Sequence, residues 1–228
     1  MKPGKSLKFL FDEKDEREIT INNLVVAGWT GRNVEAMEAH ILELEELGIT
    51  RPSRMPIFYR CSVNQLTTDH EFQVIGNNSS GEIEFIILSL EDGYWIGLGS
   101  DHTDRVVEAT DVTLSKQMCS KPIANNLWRF DDVKDHWDEL FLRSTIKNGG
   151  IEEPYQKGPV TTMRDPEELI SLYTNGGKLD LGTLMFCGTL AVEGGVRSAE
   201  IFHGSLKDVK MGRTIQFDYR AISLPAEE

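Results

Sequence analysis

The stretch Gly81-Glu82-Ile83-Glu84-Phe85-Ile86-Ile87-Leu88-Ser89-Leu90-Glu91-Asp92-Gly93, returning through Tyr94 to Gly99 and on to Ser100-Asp101-His102-Thr103-Asp104-Arg105, decides how this chain folds. Side chains alternate across a strand, so Ile83, Phe85, Ile87 and Ser89 share one face and Glu82, Glu84, Ile86 and Leu88 the other. Asp92-Gly93 predicts a two-residue hairpin turn. In that register Glu91 faces Tyr94, Glu84 faces Asp101 and Glu82 faces Thr103, and three carboxylates, Glu82, Glu84 and Asp101, fall on one patch. Opposed Cβ atoms lie about 5 Å apart and diagonal ones about 7–8 Å, and like charges at that spacing destabilise a sheet unless something neutralises them. A divalent cation does so, and oxygen donors without a nearby cysteine favour a hard ion, Mg²⁺ first, then Mn²⁺ or Ca²⁺. Alternating glutamates are otherwise a solvated strand face. Ile86 and Leu88 on the same face argue instead for a half-buried group.

On the N-terminal side, Leu7–Phe11, Ile19–Ile21 and Leu24–Trp29 read as short strands. A helix follows, with Val34, Met37, Ile41, Leu44 and Leu47 at helical spacing, Thr30 or Asn33 as cap, Gly48 after its end, and Pro52 and Pro56 beyond. Within it His40-x-x-Glu43 puts an imidazole one turn from a carboxylate. An imidazole so held can take a proton from water, although a glutamate-rich helix also produces such neighbours by chance. On the C-terminal side, Val133, Trp137 and Leu140 read as a helical face, while Leu140–Ile146 reads equally as a strand leading into Lys147-Asn148-Gly149-Gly150. Pro166–Tyr173 reads as a helix ended by Gly176-Gly177, and Leu181–Thr189 and Thr214–Ile222 as closing strands. The simplest account is one strand-rich α+β domain over residues 1–228, with N-terminal strands in 1–29 and the main body in 30–228.

Lys and Arg number 24 against 37 Asp and Glu, a net charge of −13 over 228 residues. Such a chain is a poor polyanion binder, so no nucleic-acid partner is expected. Its apolar runs are strand-sized, short of the ~20 residues a membrane helix needs, and its start does not read as a signal peptide. Cys61, Cys119 and Cys187 are an odd, scattered set without a Cys-x-x-Cys pair, which fits a reduced cytoplasm. Cys119 and Cys187 read as small buried residues, since neither has an evident base beside it. His102 alternates away from Asp101, and His136 reads as part of an element packed by Trp137.

Taken in chain order, these pieces resemble the fumarylacetoacetate hydrolase superfamily. Its members open with a Gly-Arg-Asn or Gly-x-Asn turn, a helix bearing His-x-x-Glu, and Pro-x-x-Phe-x-Lys. Here stand Gly31-Arg32-Asn33, His40 and Glu43, and Pro56-Ile57-Phe58-Tyr59-Arg60. Glu-x-Glu and Asp-Val-Thr-Ala-Arg-Asp follow in the family, against Glu82, Glu84 and Asp101-His102-Thr103-Asp104-Arg105. An active-site lysine comes about twenty residues further, where Lys121 stands with Lys116 as its rival. Asn148-Gly149, Gln156, Met163 and Leu169-Ile170 agree as well. The closing signature, Leu-x-x-Gly-Asp-x-Ile-x-Thr-Gly-Thr, is matched by Leu179–Thr189, in which Thr183 replaces an aspartate and Cys187 a threonine. Arg60 replaces the lysine, the helix has extra residues before His40, and the connection from Glu84 to Asp101 is shorter. The chain is thus similar to a divergent branch.

The resemblance implies a mixed β-roll and a metal-dependent hydrolase of a small carbonyl compound. Its target would be the C–C bond of an acylpyruvate-like dicarbonyl or a C–N bond, with decarboxylase, tautomerase and hydratase chemistry as alternatives on the same fold. A binding protein that has lost the chemistry is the reading of another class. By resemblance Glu82, Glu84 and Asp101 hold Mg²⁺ or Mn²⁺, His40 oriented by Glu43 is the general base, and Lys121 stabilises developing charge. Gly188 and Thr189 offer donors to the substrate, Arg32 and Arg60 are further substrate candidates, and a homodimer or higher homo-oligomer is expected.

Overall fold

In the computed structural model, which describes residues 4–35, 37–38, 41–42, 52 and 54–227, Ile83–Leu90 and Gly93–Ser100 form an antiparallel hairpin inside an eight-stranded sheet. From one edge the order is Asp15–Ile21, Lys5–Phe11, Asn126–Arg129, Gly93–Ser100, Ile83–Leu90, Thr183–Thr189, Asn23–Gly28 and Ile57–Cys61. Lys5–Phe11 runs parallel to Asn126–Arg129, and Asn23–Gly28 parallel to Thr183–Thr189, so the sheet is mixed. A second, five-stranded sheet is ordered Ile151–Pro159, Leu140–Asn148, Ile201–Asp208, Arg213–Leu224 and Glu71–Ile75. Among the described residues the helices are few and short. This is the strand-rich mixed roll expected. Among the described residues no helix is long and apolar enough to cross a membrane.

The hairpin is buried on both faces because each face meets a different core. Ile83, Phe85, Ile87, Ile96 and Leu98 pack with Leu142, Phe202, Leu206, Ile215 and Tyr219 of the five-stranded sheet. Ile86, Leu88 and Trp95 join Phe9 and Phe11 from near one edge of the large sheet and Leu24 and Val26 from near the other. Residues from opposite ends of a sheet share one cluster only if the sheet curls, so this second core lies in its concave side. A strand between two cores gains roughly 1.5–3 kcal/mol per buried large apolar side chain on either face, which accounts for the unbroken run Phe85-Ile86-Ile87-Leu88.

The hairpin register differs from the expected one. Leu90 pairs with Gly93, Glu84 with Gly99 and Ile83 with Ser100, so the turn residues are Glu91 and Asp92. Gly93 takes its positive φ of +122° after the turn, and Asp92 is held at the tip by the Trp95 indole N–H at 2.9 Å and the Arg17 guanidinium at 3.1 Å. The slip is two residues, and two residues preserve the face of every side chain. The patch of three carboxylates therefore survives the wrong turn.

Both readings of the central segment are realised in succession: Phe130–Val133 and Lys134–Glu139 are short helices, then Leu140–Asn148 is a strand. Helix Pro166–Thr174 is capped by Asp165 and stopped by Asn175 in the left-handed conformation. The N-terminal helix begins after Asn33, whose carbonyl accepts the Met37 N–H at 3.1 Å. Ile41 is buried, but Val34, expected on the apolar stripe, is exposed. Leu44 and Leu47 lie outside the described residues.

Candidate metal centre

Glu82 enters the Ile83–Leu90 strand and Glu84 is its second residue, so alternation points both to the concave side. Asp101 follows the return strand, and its N–H donates to the Glu82 carbonyl at 3.0 Å. It stands across from Glu82 and diagonal to Glu84, whereas the expected turn put it opposite Glu84. One carboxylate oxygen from each of Glu82, Glu84 and Asp101 lies within 4.8 Å of the others. Glu84 is 2% exposed and Asp101 1%, and a buried carboxylate must be paired, protonated or bound to a cation.

Asp101 is paired twice. The Lys116 ammonium lies 2.5 Å from its Oδ2 and that of Lys121 lies 3.0 Å from its Oδ1. Burial opposes ionisation, but the two ammonium groups outweigh it and hold the Asp101 carboxyl below the usual carboxylate range. Burial likewise opposes the charge on Lys116, and Asp101, Glu82 and Glu108 outweigh it, so the ammonium is retained. The two lysines, rivals in the sequence for one role, both reach the site. Lys121 also donates to the His102 carbonyl.

Local caps deliver the remaining charges. Asp104 accepts the Val106 and Val107 N–H groups at 3.0 and 2.9 Å and starts the turn Arg105–Glu108. Arg105 then reaches Glu82 at 3.2 Å and Glu108 at 2.7 Å. Asp111 caps Val112–Met118, which carries Lys116 to within 3.6 Å of Glu108. Four carboxylates thus meet three cations. Glu84 is the one left over: among the described residues its hydrogen-bond donor is the Gly188 N–H at 2.7 Å. Burial first, then Asp101 and Glu82, push its carboxyl well above the ordinary range. A set of oxygen donors with one uncompensated negative charge fits a hard divalent cation.

The other sequence candidates divide. Gly188 and Thr189 are in place, but their donors are engaged within the protein: the Gly188 N–H on Glu84, and the Thr189 hydroxyl on the Ile83 carbonyl at 2.7 Å. Gly188 has φ +95°, and a Cβ there would fall 1.7 Å from the Thr30 hydroxyl, so only glycine brings this N–H to Glu84. Arg60 points away from the carboxylates, to Tyr173 at 3.0 Å and Asn23 at 2.8 Å. Its strand neighbour Tyr59 faces them, its ring 5.9 Å from the Lys116 ammonium. Arg32 is exposed and reaches the Met163 carbonyl and Asp138. His40 and Glu43 lie outside the described residues.

His102 faces away from the carboxylates, as its alternation requires, with Nδ1 3.0 Å from the Tyr219 hydroxyl and Nε2 2.9 Å from Ser79. Burial, with Lys121 and Arg105 nearby, lowers its pKa to about 3, so the ring is neutral. His136 is buried against Asp208 at 3.0 Å. The three cysteines are buried and free.

Gln156, carried in the sequence as a motif residue without a role, ties the hairpin to its neighbours. Its Oε1 accepts the Ile83 N–H at 2.9 Å, and its Nε2 donates to Thr189 at 2.8 Å and the Leu190 carbonyl at 2.7 Å. Lys116, Arg105, Glu108 and Tyr59 were not assigned as a set by sequence, because only the packing of two short capped turns joins them. A cavity of about 460 Å³ opens elsewhere, against the five-stranded sheet, lined by His70, Arg143, His203 and Asp218 among others and by none of the carboxylates above. Buried, uncompensated charge marks the hairpin rather than this cavity as the chemically distinctive place.

Comparison with curated proteins gives no match. Among solved structures, the fold is similar to that of yeast ynq8, a fumarylacetoacetate hydrolase family protein, at 14% identity and TM-score 0.66, over 90% of this chain and 95% of that one. The inhibitor complex of Cg1458 aligns at 12% identity and TM-score 0.65, over 97% and 89%. A 2-keto-3-deoxy-D-arabinonate dehydratase complexed with magnesium and 2,5-dioxopentanoate aligns at 15% identity and TM-score 0.61, over 92% and 77%. At these identities the likeness establishes the fold alone, one shared with a fumarylacetoacetate hydrolase family protein. The family model described as "Protein of unknown function (DUF2848)" matches residues 27–219, and the chain belongs to that family.

Proposed function

We propose that this protein is a divalent-metal-dependent enzyme acting on a small carbonyl compound, and that it hydrolyses the C–C bond of an acylpyruvate-like 1,3-dicarbonyl or a C–N bond. The observation that carries this reading is Glu84, a carboxylate buried beside two others and held, among the described residues, by a backbone N–H. The dehydratase with magnesium and a dioxo acid on the same fold supports it.

Mg²⁺ or Mn²⁺ held by Glu82, Glu84 and Asp101 would supply Lewis-acid polarisation of a substrate carbonyl. Lys116 and Lys121 neutralise Asp101 and place two ammonium groups where negative charge develops. Arg105 fixes Glu82, and Gly188 fixes Glu84. His40, oriented by Glu43, is the general base in this reading and takes a proton from water. Arg32 and Arg60 are outer contacts at most. Dehydratase or decarboxylase chemistry is the second reading, favoured by the dehydratase neighbour, and needs the same carboxylates and a proton acceptor. We further propose a cytoplasmic homodimer or higher homo-oligomer, whose oligomeric state light scattering tests directly.

Calorimetric titration with Mg²⁺ and Mn²⁺ tests the centre. Glu84→Ala is expected to abolish binding while the protein stays folded, and undiminished binding sinks the assignment. His40→Ala is expected to remove turnover but keep metal binding. A metal-supplemented screen over acylpyruvates, oxaloacetate, 2-keto-3-deoxy acids and small amides distinguishes hydrolase from lyase.

A further inference from the structure

The hairpin ladder has a gap where the carboxylates emerge. Regular pairing ends at Ile83 with Ser100 and resumes at Ser80 with Thr103. Between them lie Gly81-Glu82 and Asp101-His102, joined by the bond from Asp101 N–H to Glu82 carbonyl. The Glu82 N–H goes to the Ser100 hydroxyl at 3.0 Å. That hydroxyl lies 3.0 Å from the hydroxyl of Tyr219, which comes from the other sheet and also lies 3.0 Å from His102 Nδ1. His102 continues to Ser79 at 2.9 Å, and its carbonyl accepts Lys121, one of the two lysines on Asp101.

We infer that Tyr219 is a positioning residue of the carboxylate centre: through Ser100 and His102 it holds the backbone of Glu82 and Asp101 at the spacing a divalent cation needs. This rests on the metal reading above. One consistent assignment of protons runs in a single direction along the chain. Ser100, already accepting from Glu82, donates to Tyr219; Tyr219 donates to Nδ1; and Nε2–H donates to Ser79. The strut is rigid because the Tyr219 ring stacks on Phe202 at 5.2 Å and packs against Phe72 at 5.1 Å. Its hydroxyl also fills the place of a side chain at residue 81, where a Cβ would sit 2.3 Å from it. Tyr219 touches no carboxylate side chain of the centre, so its effect on a cation is exerted only through the backbone and its neighbours.

The test is calorimetric titration of the full chain with Mn²⁺, with the histidine ¹⁵N spectrum as a second readout. Tyr219→Phe keeps the ring and removes one hydroxyl. It is expected to weaken Mn²⁺ binding by at least about tenfold, the range for groups that orient metal ligands, and to shift His102 away from its Nε2–H tautomer. Ile215→Val, in the same strand and core, controls for loss of stability and is expected to leave Mn²⁺ affinity unchanged. Tyr219→Phe binding within about twofold of the parent, against that expected range, overturns the inference. If Tyr219→Phe does not fold, Ser79→Ala at the far end of the chain decides: a several-fold loss supports the strut, and none overturns it. A parent that binds no Mn²⁺ overturns the metal reading and the strut together. A parent that binds, a Glu84→Gln variant that does not, and an unchanged Tyr219→Phe overturn the strut alone.

Discussion

Two buried acidic groups in this molecule answer the same electrostatic problem differently. Asp208 is fully buried and saturated: His136 at 3.0 Å, Arg213 at 3.2 Å and the Met211 N–H at 3.0 Å all point at it. The hairpin centre gathers Glu82, Glu84, Asp101 and Glu108 around Arg105, Lys116 and Lys121, and among the described residues leaves Glu84 to a backbone donor. A carboxylate whose partners are complete is a structural pin. One held short of compensation keeps a place for a cation, and such sites are where function concentrates.

Isosteric changes at the two places should therefore differ, and the largest difference is in metal binding. Glu84→Gln is expected to abolish Mg²⁺ and Mn²⁺ binding in calorimetry, beyond the ~10–100-fold cost of outer-shell changes, while Asp208→Asn leaves it intact. Equal losses in both variants would dissolve the contrast. Next in size, Asp208→Asn is expected to cost about 3 kcal/mol of unfolding free energy at neutral pH, because it leaves the half-buried Arg213 guanidinium and the buried His136 ring without their carboxylate acceptor. Burial works against the Asp208 charge, but the Met211 N–H, His136 and Arg213 hold its carboxyl below the ordinary range. That stability is present above the unfolded carboxylate pKa of about 3.9 and is lost as pH falls below it through the depressed value of the folded protein. Parent and variant denaturation curves should converge in acid, and a difference that grows there refutes the pairing.

Lys116→Met tests whether the hairpin cations and a metal share one carboxylate. Removing an ammonium a few ångströms from the centre should tighten Mn²⁺ binding on the order of tenfold, and weaker binding would mean that Lys116 builds the site rather than competing for it. In metal-free protein, Glu84→Gln keeps the Gly188 donor an oxygen and removes a group whose ionisation burial disfavours, so stability should rise by about 1 kcal/mol. A fall of that size would show that Glu84 is already paired. Smallest of all, Arg60→Ala should change stability by no more than ~0.5 kcal/mol, as for other exposed positions, and a large loss of metal affinity would return Arg60 to the site.

Local pattern made much of this readable. The alternation from Glu82 to Ser89 assigns each side chain to the face it occupies, and it does so despite a misplaced turn, because period two is blind to a slip of two. Thr189 and Gly188 were readable as site-proximal, but not their orientation, since the positive φ and the close approach to Thr30 arise from the parallel pairing with Asn23–Gly28. Tyr59 and Arg60 show the limit: alternation says that they face opposite ways, and only the pairing of Ile57–Cys61 at the sheet edge decides which faces the carboxylates.

By itself, then, the sequence determined that Glu82, Glu84 and Asp101 share a face, that two apolar faces flank them, and that Lys121 or Lys116 follows at a suitable distance, because these depend on the periodicity of one strand pair. Tertiary structure alone decided that both lysines clamp Asp101, that Arg105 takes Glu82, that Glu84 is left with a backbone donor, and that Tyr219 reaches under the hairpin from the other sheet. Those contacts join residues up to 119 positions apart. Their selection comes from burial: once the curled sheet excludes water, every charge in its concave side must find a partner, and the count of partners within reach is a property of the packed chain.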